Sequence, residues 1–398
     1  MSHQIRTVKL ATGELTLTLE PGHIPLSRLL GFAARISSKR KFLFVSKILG
    51  KHYPVSPVMM SWSYRALAKK VLEQMQGETS IWIGMAETAT GLGYGVFESG
   101  FNLGLTDSLF IQTTRYHLAD QAYLEFQEAH SHATDFFLYY PEQAKLRRQF
   151  LNAQILVLID DEISTGRTFL RLIQAYQQVN SALQKVFIVS LVNFAHANDR
   201  NIVNTEAGVE VVWIYLREGT LHFEDNNDQQ LGAISVQVSS NNACKKHLLA
   251  WPGRLGMNKP IRLATTMTNE LRGYFESDCD TRPILVLGSG ECNAPAYLLG
   301  RALAAEGFAV KVQSTTRSPI YQGNDIQSIE QFEDNYDDGI PNFLYNRNMH
   351  DYREIIVCHE TPLTPPLLER IKTWRAISAQ FEMDPLTADH AKIHFSRP

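Results

Sequence analysis

One repeating pattern constrains this chain more than any other feature. Short apolar runs rich in β-branched residues alternate with segments of helical period. "SIWIGMAE" (80–87), "SLFIQTT" (108–114), "ILVLID" (155–160), "KVFIVSLVNF" (185–194) and "VEVVWIYL" (209–216) each have the length and composition of a buried strand. Between them lie helical segments. The clearest, after Gly166, places Phe169, Leu172, Ile173 and Tyr176 at i, i+3, i+4 and i+7. The glycine-rich "GLGYGVFESGFNLG" (91–104) reads as a helix or loop packed on the strand before it. Buried strands alternating with helices specify an α/β domain with a mainly parallel sheet. The pattern restarts near Arg282, with "PILVLGSGE" as a strand ending in glycines, "NAPAYLLGRALAAEG" as a helix closed by Gly307, "FAVKVQSTT" as a second strand and "YREIIVCHE" (352–360) as a third. The stretch 217–250 between the two series is polar and turn-rich. The expected organisation is a first α/β domain over 1–220, a linking region over 221–275 and a second α/β domain over 276–398.

Composition supports this division. A chain of 398 residues exceeds one ordinary core. Apolar residues at 44% and charged residues at 20% fit a soluble globular protein. A net charge of −3 lacks the dense basic surface of a bulk nucleic-acid binder, so no nucleic-acid partner is expected. It leaves room for a small basic pocket that takes an anionic metabolite. Cys244, Cys279, Cys292 and Cys358 lie far apart with no C-x-x-C pair, which argues against a zinc site or disulfide framework and for a reducing cytoplasm. The first residues alternate like a strand rather than forming a signal-peptide core, and no run of ~18 apolar residues would span a membrane. A soluble, cytoplasmic, multi-domain protein without a membrane partner is the expectation.

The stretch "ILVLIDDEISTGRT" (155–168) carries the most chemistry. In an open α/β sheet, ligands sit beyond the carboxyl ends of the strands, where Asp160 and Asp161 fall. Ser164 to Thr168 then lead into a helix whose free N–H groups and positive dipole end favour an anion. Gly166 permits close backbone approach, and the hydroxyls add donors. The unit is a phosphate cradle beside two carboxylates. Carboxylates repel phosphate, so they face something hydroxylated or a metal ion; a sugar phosphate with a vicinal diol satisfies both ends. A P-loop NTPase also has such an acidic strand, but no G-x-x-x-x-G-K-[ST] loop accompanies it here. Aspartyl-phosphate receivers lack the hydroxyl-rich turn. A capped helix, with Ser164 or Thr165 as N-cap, explains single residues but not the constellation.

"VLIDDEISTGRT" resembles the phosphoribosyl pyrophosphate (PRPP) signature of type I phosphoribosyltransferases. The resemblance implies that Asp160 and Asp161 hold the ribose 2′- and 3′-hydroxyls, while Ser164, Thr165, Gly166, Arg167 and Thr168 wrap the 5′-phosphate. Purine-salvage members often carry an acid where Ser164 stands, so the turn is more similar to the orotate branch. "KRKFLFVSKILGKHYPV" (39–55), "GMAETATGLG" (84–93), "EAHSHAT" (128–134) and "TTRSP" (315–319) extend the likeness from about residue 25 to 360. Together they resemble orotate-phosphoribosyltransferase-like proteins with a C-terminal TRSP domain, associated with bacterial tellurite-resistance and stress gene clusters.

That resemblance implies a type I phosphoribosyltransferase-like parallel-sheet domain and a second, Rossmann-like α/β domain. It implies a Mg²⁺-dependent transfer of ribose 5-phosphate, in either direction, between PRPP and a nucleobase-like acceptor, within synthesis of a nucleoside-like stress metabolite. A homodimer is expected. Mg²⁺ would be held mainly by ligand oxygens, with Asp160 and Asp161 as candidate ligands. By analogy the loop Ala86, Glu87, Thr88, Ala89 and Thr90 binds pyrophosphate, with Glu87 either reaching the metal or capping the next helix. Arg115 falls where relatives place a basic pyrophosphate ligand. His130 and His132 lie in the expected catalytic loop, and Lys47, Lys51 and His52 in a hood over the base. In the second domain, the turns Gly288-Ser289-Gly290-Glu291 and Thr316-Arg317-Ser318-Pro319 fall on one sheet edge. Gly288, Gly290, Glu291, Arg317 and Ser318 there form a candidate anion site. The alternative is a regulator that senses PRPP or a nucleotide, or a scaffold that keeps the fold without catalysis. No DNA-binding segment accompanies it.

Overall fold

The computed structural model describes residues 4–36, 40–118, 121–127, 135–226, 248, 251–264, 266–276, 280–383 and 389–398. The chain opens with a hairpin, β1 (Gln4–Leu10) and β2 (Gly13–Leu19). The short α1 (Leu26–Leu29) and a second hairpin, β3 (Leu30–Ala34) and β4 (Phe42–Ser46), follow. Next come α2 (Pro57–Leu72), β5 (Ser80–Gly84), α3 (Thr90–Asn102) and β6 (Ser108–Gln112). Ser56 caps α2, its hydroxyl accepting from the Met59 N–H, and Pro57 occupies the first helical position. A third hairpin, β7 (Tyr123–Gln127) and β8 (Asp135–Tyr139), leads to α4 (Ala144–Asn152) and β9 (Ile155–Ile163). The unit ends with α5 (Arg167–Gln177), β10 (Lys185–Asn193), α6 (Ala197–Glu206) and β11 (Glu210–Asp225).

The main sheet has the order β1-β2-β11-β10-β9-β5-β6. Its strands from β11 to β6 are parallel, and the β1–β2 hairpin adds antiparallel to β11. Strand β11 runs well past residue 217: Gly219 pairs with Leu19 and Asp225 with Gly13. This outer end has partly exposed faces, which accounts for the polar alternation that reads as turn-rich in sequence. Gly93 lets α3 lie against β5, since a Cβ there would come within 2.5 Å of the Gly84 Cα.

The second unit contains β12 (Arg262–Leu263), α7 (Thr266–Arg272), β13 (Ile284–Gly288), α8 (Asn293–Ala305) and β14 (Val310–Ser314). It continues with β15 (Ile329–Glu333), β16 (Pro341–Tyr345), β17 (Glu354–His359), α9 (Pro365–Thr373), β18 (Ile377–Met383) and β19 (His390–Ser396). Its sheet has the order β12-β19-β18-β17-β13-β14, parallel from β18 to β14. Both units are thus mixed α/β with parallel central strands. Among the described residues no helix is long and apolar enough to cross a membrane.

The units share one apolar core. Helices α2 and α3 meet α8: Tyr64 packs edge-on against Tyr297 at 5.1 Å, the Ser61 and Tyr297 hydroxyls bond at 2.8 Å, and Arg301 forks onto Glu98. Residues 251–257 line the other side, where Phe110 and Met257 exchange backbone hydrogen bonds at 2.7 and 2.8 Å. This docking turns the carboxyl ends of the two parallel sheets toward each other.

Candidate active site

The ribose cradle starts from β9. Asp160 pairs in register with Ser190 of β10, one step beyond the Ile159–Gly84 pair with β5, so the acids emerge at the middle of the sheet's carboxyl edge. Both side chains are partly buried, and Asp160 Oδ1 accepts from the Asp161 N–H at 2.9 Å. Burial, and then the neighbouring Asp161, push the Asp160 carboxyl well above the usual carboxylate range. Burial also raises Asp161, against the pull of hydrogen bonds to it and of Lys51 and Arg40. On the same face of β9 as Asp160, burial lifts Glu162 to about 7 despite Arg40 Nη1 at 2.6 Å.

The turn Ser164–Thr168 follows directly. Gly166 stands at φ +78°, the left-handed region, and a Cβ there would lie 2.8 Å from the Trp213 ring, so glycine is required on both counts. Helix α5 begins at Arg167; its first-turn N–H groups have no intrahelical acceptors, and that of Arg167 donates to Thr165 Oγ1 at 3.4 Å. The Arg167 side chain is half exposed and reaches Asp199 at 3.3 Å, outward from the turn.

After β5, the loop Ala86–Thr90 carries the expected pyrophosphate residues. The Ala86 N–H donates to Thr113 Oγ1 at 2.8 Å, the Ala86–Glu87 peptide is cis, and the Ala89 N–H returns to the Met85 carbonyl at 2.9 Å. Glu87 caps no helix. Its carboxylate accepts from Lys51 Nζ at 2.7 Å and from Arg317 Nε at 2.8 Å, the latter from the second unit. Burial alone would raise Glu87; Lys51 and Arg317 outweigh it and hold the carboxyl at about 2. His52, next to Lys51, is buried, and among the described residues neither ring nitrogen has a hydrogen-bond partner. Burial, with Lys51 adding to it, lowers its pKa to about 3, so it stays neutral. Lys47 lies farther out and pairs with Asp325 at 3.0 Å.

The loop after β6 meets the second unit's glycine turn. Thr114 Oγ1 donates to Glu291 Oε2 at 2.8 Å, and the Arg115 N–H to Glu291 Oε1 at 3.2 Å. The Arg115 guanidinium lies over the Phe136 ring at 4.2 Å. Around Gly288–Glu291 the backbone donors are already taken. The Gly290 N–H donates to Thr315 Oγ1 at 3.0 Å, and the Glu291 N–H to the Tyr336 hydroxyl at 3.1 Å. The turn thus offers side chains, not N–H groups, to the space between the units. The Ser318 N–H folds back on Thr316 Oγ1 at 3.2 Å. Of the second-unit candidates, Glu291 and Arg317 reach the first unit's loops.

Sequence reasoning missed the residue that organises this junction. Arg254 is fully buried; Nε and Nη2 donate to Glu291 Oε2 at 3.0 and 2.9 Å, and Nη1 and Nη2 to Glu360 at 2.6 and 2.8 Å. It sits in "WPGRLG", within the stretch read as a link, where no periodicity marks it. Asn293 was also missed: its Nδ2 donates to Thr90 Oγ1 at 2.9 Å and to the Glu87 carbonyl at 3.2 Å. His130 and His132 lie outside the described residues.

A family model described as a phosphoribosyl transferase matches residues 29–220, and one described as the TRSP domain C-terminal to it matches residues 251–373. Among solved structures, the chain is similar to adenine phosphoribosyl transferase from Trypanosoma brucei in complex with AMP, pyrophosphate and ribose-5-phosphate. That match has 14% identity and a TM-score of 0.35, over 54% of this chain and 87% of that one. The adenine phosphoribosyltransferases of Rhodothermus marinus (16% identity, TM-score 0.32, 48% and 96% covered) and Giardia lamblia (17%, 0.31, 47% and 94%) are also similar. No curated protein matches the chain. With the two family models adjacent and in order, the chain belongs to the phosphoribosyltransferases that carry a C-terminal TRSP domain.

Proposed function

We propose that this enzyme transfers ribose 5-phosphate between PRPP and a nucleobase-like acceptor, with Mg²⁺, in either direction. The observation that carries the reading is the acid pair at the end of β9 beside a hydroxyl-rich turn whose left-handed Gly166 opens α5. Asp160 and Asp161 accept the 2′- and 3′-hydroxyls; Ser164, Thr165 and Thr168, with the N–H groups of the helix start, take the 5′-phosphate. The acid pair offers hard oxygen donors side by side. Among the described residues no cluster of three or more His, Cys, Asp or Glu completes a metal cage. This donor set fits Mg²⁺, which binds through one or two carboxylates and relies on ligand oxygens for the rest. When bound, the ion neutralises charge on the departing pyrophosphate. The chain's own residues fix the ribose, hold the phosphate at the helix start and screen the anomeric carbon from water. Each such electrostatic contact is worth roughly 10²–10³ in rate.

The metabolite made in this way would be nucleoside-like, in keeping with the resemblance to stress-associated proteins. The test is isothermal titration of PRPP with Mg²⁺ into wild type and an Asp160→Asn/Asp161→Asn variant. Micromolar binding that the variant loses supports the cradle; equal binding by both rejects it.

A further inference from the structure

We propose that the pyrophosphate subsite is shared between the two units. Its cationic ligands are Arg317, from the turn after β14, and Lys51, from the segment before α2. Glu87 is the resident carboxylate that holds both until a diphosphate displaces it. The proposal rests on the phosphoribosyl-transfer reading and extends it to the second unit, which thereby completes the first unit's site.

Position is the first support. Glu87 lies in the loop after β5, and the Met85 N–H of that loop bonds to the Ile159 carbonyl at 3.0 Å, one residue before the acid pair. The two cations thus gather one strand away from the acid pair. Charge is the second. Lys51 is 2% exposed, Glu87 9% and Arg317 17%, so two cations share one carboxylate in a largely dry space. The neighbouring His52 stays neutral and adds no charge. Two cations on one carboxylate at such depth favour an incoming anion, with the buried Glu291 as a further acid that acts on Arg317.

Donor capacity is the third. Among the described residues Arg317 spends only Nε on Glu87, and no acceptor meets its Nη1 or Nη2, the fork that suits phosphate oxygens. The guanidinium carbon lies over the Tyr116 ring, 5.5 Å from its centroid. The backbone is also prepared for the exchange. Asn293 Nδ2 grips the Glu87 carbonyl at 3.2 Å, so the carboxylate can swing away while the loop stays in place. A diphosphate carries more charge and more acceptor oxygens than the carboxylate it replaces.

The rival role for this cluster is a clamp that only holds the units together. Titration of inorganic pyrophosphate with Mg²⁺, and separately of ribose 5-phosphate, distinguishes them in the full chain and its Arg317→Gln, Lys51→Gln and Glu87→Gln variants. The shared subsite predicts that Arg317→Gln and Lys51→Gln each weaken pyrophosphate roughly tenfold or more and leave ribose 5-phosphate within about twofold. Glu87→Gln leaves pyrophosphate affinity equal or tighter. A lowered melting temperature in folded Arg317→Gln with unchanged pyrophosphate affinity overturns the proposal in favour of the clamp. So does Glu87→Gln weakening pyrophosphate as much as the cation variants do. If Arg317→Gln does not fold, Arg317→Lys keeps the charge and loses the fork. It too must weaken pyrophosphate several-fold, and unchanged binding overturns the proposal. Wild type that binds ribose 5-phosphate but not pyrophosphate sinks this inference and leaves the cradle standing; the reverse result sinks the cradle alone.

Discussion

Arg254→Met isolates the charge network that joins the units. The arginine makes four bonds to the carboxylates of Glu291 and Glu360 and a fifth to the Leu248 carbonyl at 2.7 Å, all fully buried. Methionine removes every one of these donors. Glu291 keeps Thr114 Oγ1 and the Arg115 N–H, while Glu360 keeps, among the described residues, only the Tyr336 hydroxyl at 3.4 Å. Breaking one side of a buried ion pair typically costs about 3–5 kcal/mol, because the other side is left charged without compensation. Burial already raises Glu360 in the wild type against the pull of Arg254; without the arginine it rises further. A carboxyl whose folded pKa is raised lowers stability as pH climbs through that pKa. Urea unfolding of Arg254→Met should therefore show a loss of about 3–5 kcal/mol at pH 8 and a smaller loss at pH 5.5. Adding Glu291→Gln and Glu360→Gln should restore much of it. A loss under about 1 kcal/mol, or one equal at both pH values, would refute the reasoning.

Three further outcomes follow from the site. Gly166→Ala should cost about 1–3 kcal/mol, because the left-handed φ and the Trp213 ring both oppose a Cβ; thermal melts check this, and titration should show ribose 5-phosphate binding lost. Arg167→Ala should change stability by no more than about 0.5 kcal/mol and weaken ribose 5-phosphate by less than about tenfold, since its half-exposed side chain points toward Asp199. Glu87 is held at about 2, so its ion pairs contribute stability that is present above the ordinary glutamate range and lost as pH falls toward 2. The stability gap between wild type and Glu87→Gln, read from denaturation midpoints, should accordingly shrink between pH 5 and pH 2.5.

Much of the fold is legible because it is written in local patterns. The runs at 80–84, 155–160, 185–193 and 284–288 are strands by apolar content alone, and β9 delivers its acids at its own carboxyl end. The cradle is likewise contiguous: Asp160 to Thr168 form one unbroken stretch of chain, so strand, turn and helix start suffice to assemble it. What is not legible depends on docking. Glu87 and Arg317 stand 230 positions apart, and nothing in either loop names the other. Lys51 reads as part of a hood over the base, but its own stretch does not name the carboxylate from another loop that it meets on burial. Arg254 occupies a segment without periodicity, and its partners come from two separate strand ends. The outer half of β11 is hidden in the sequence because a partly exposed strand end alternates polar residues as a turn-rich stretch does.

The central claim is that the paired acids and the turn beside them serve phosphoribosyl transfer. The most direct measurement is pyrophosphate release from PRPP and Mg²⁺ across a panel of purine and pyrimidine bases, comparing wild type with Asp161→Asn. The account predicts release with at least one base, reduced roughly 10²–10³-fold in the variant. PRPP binding without release for any base, in either direction of reaction, would contradict it and leave a site that senses PRPP without turning it over.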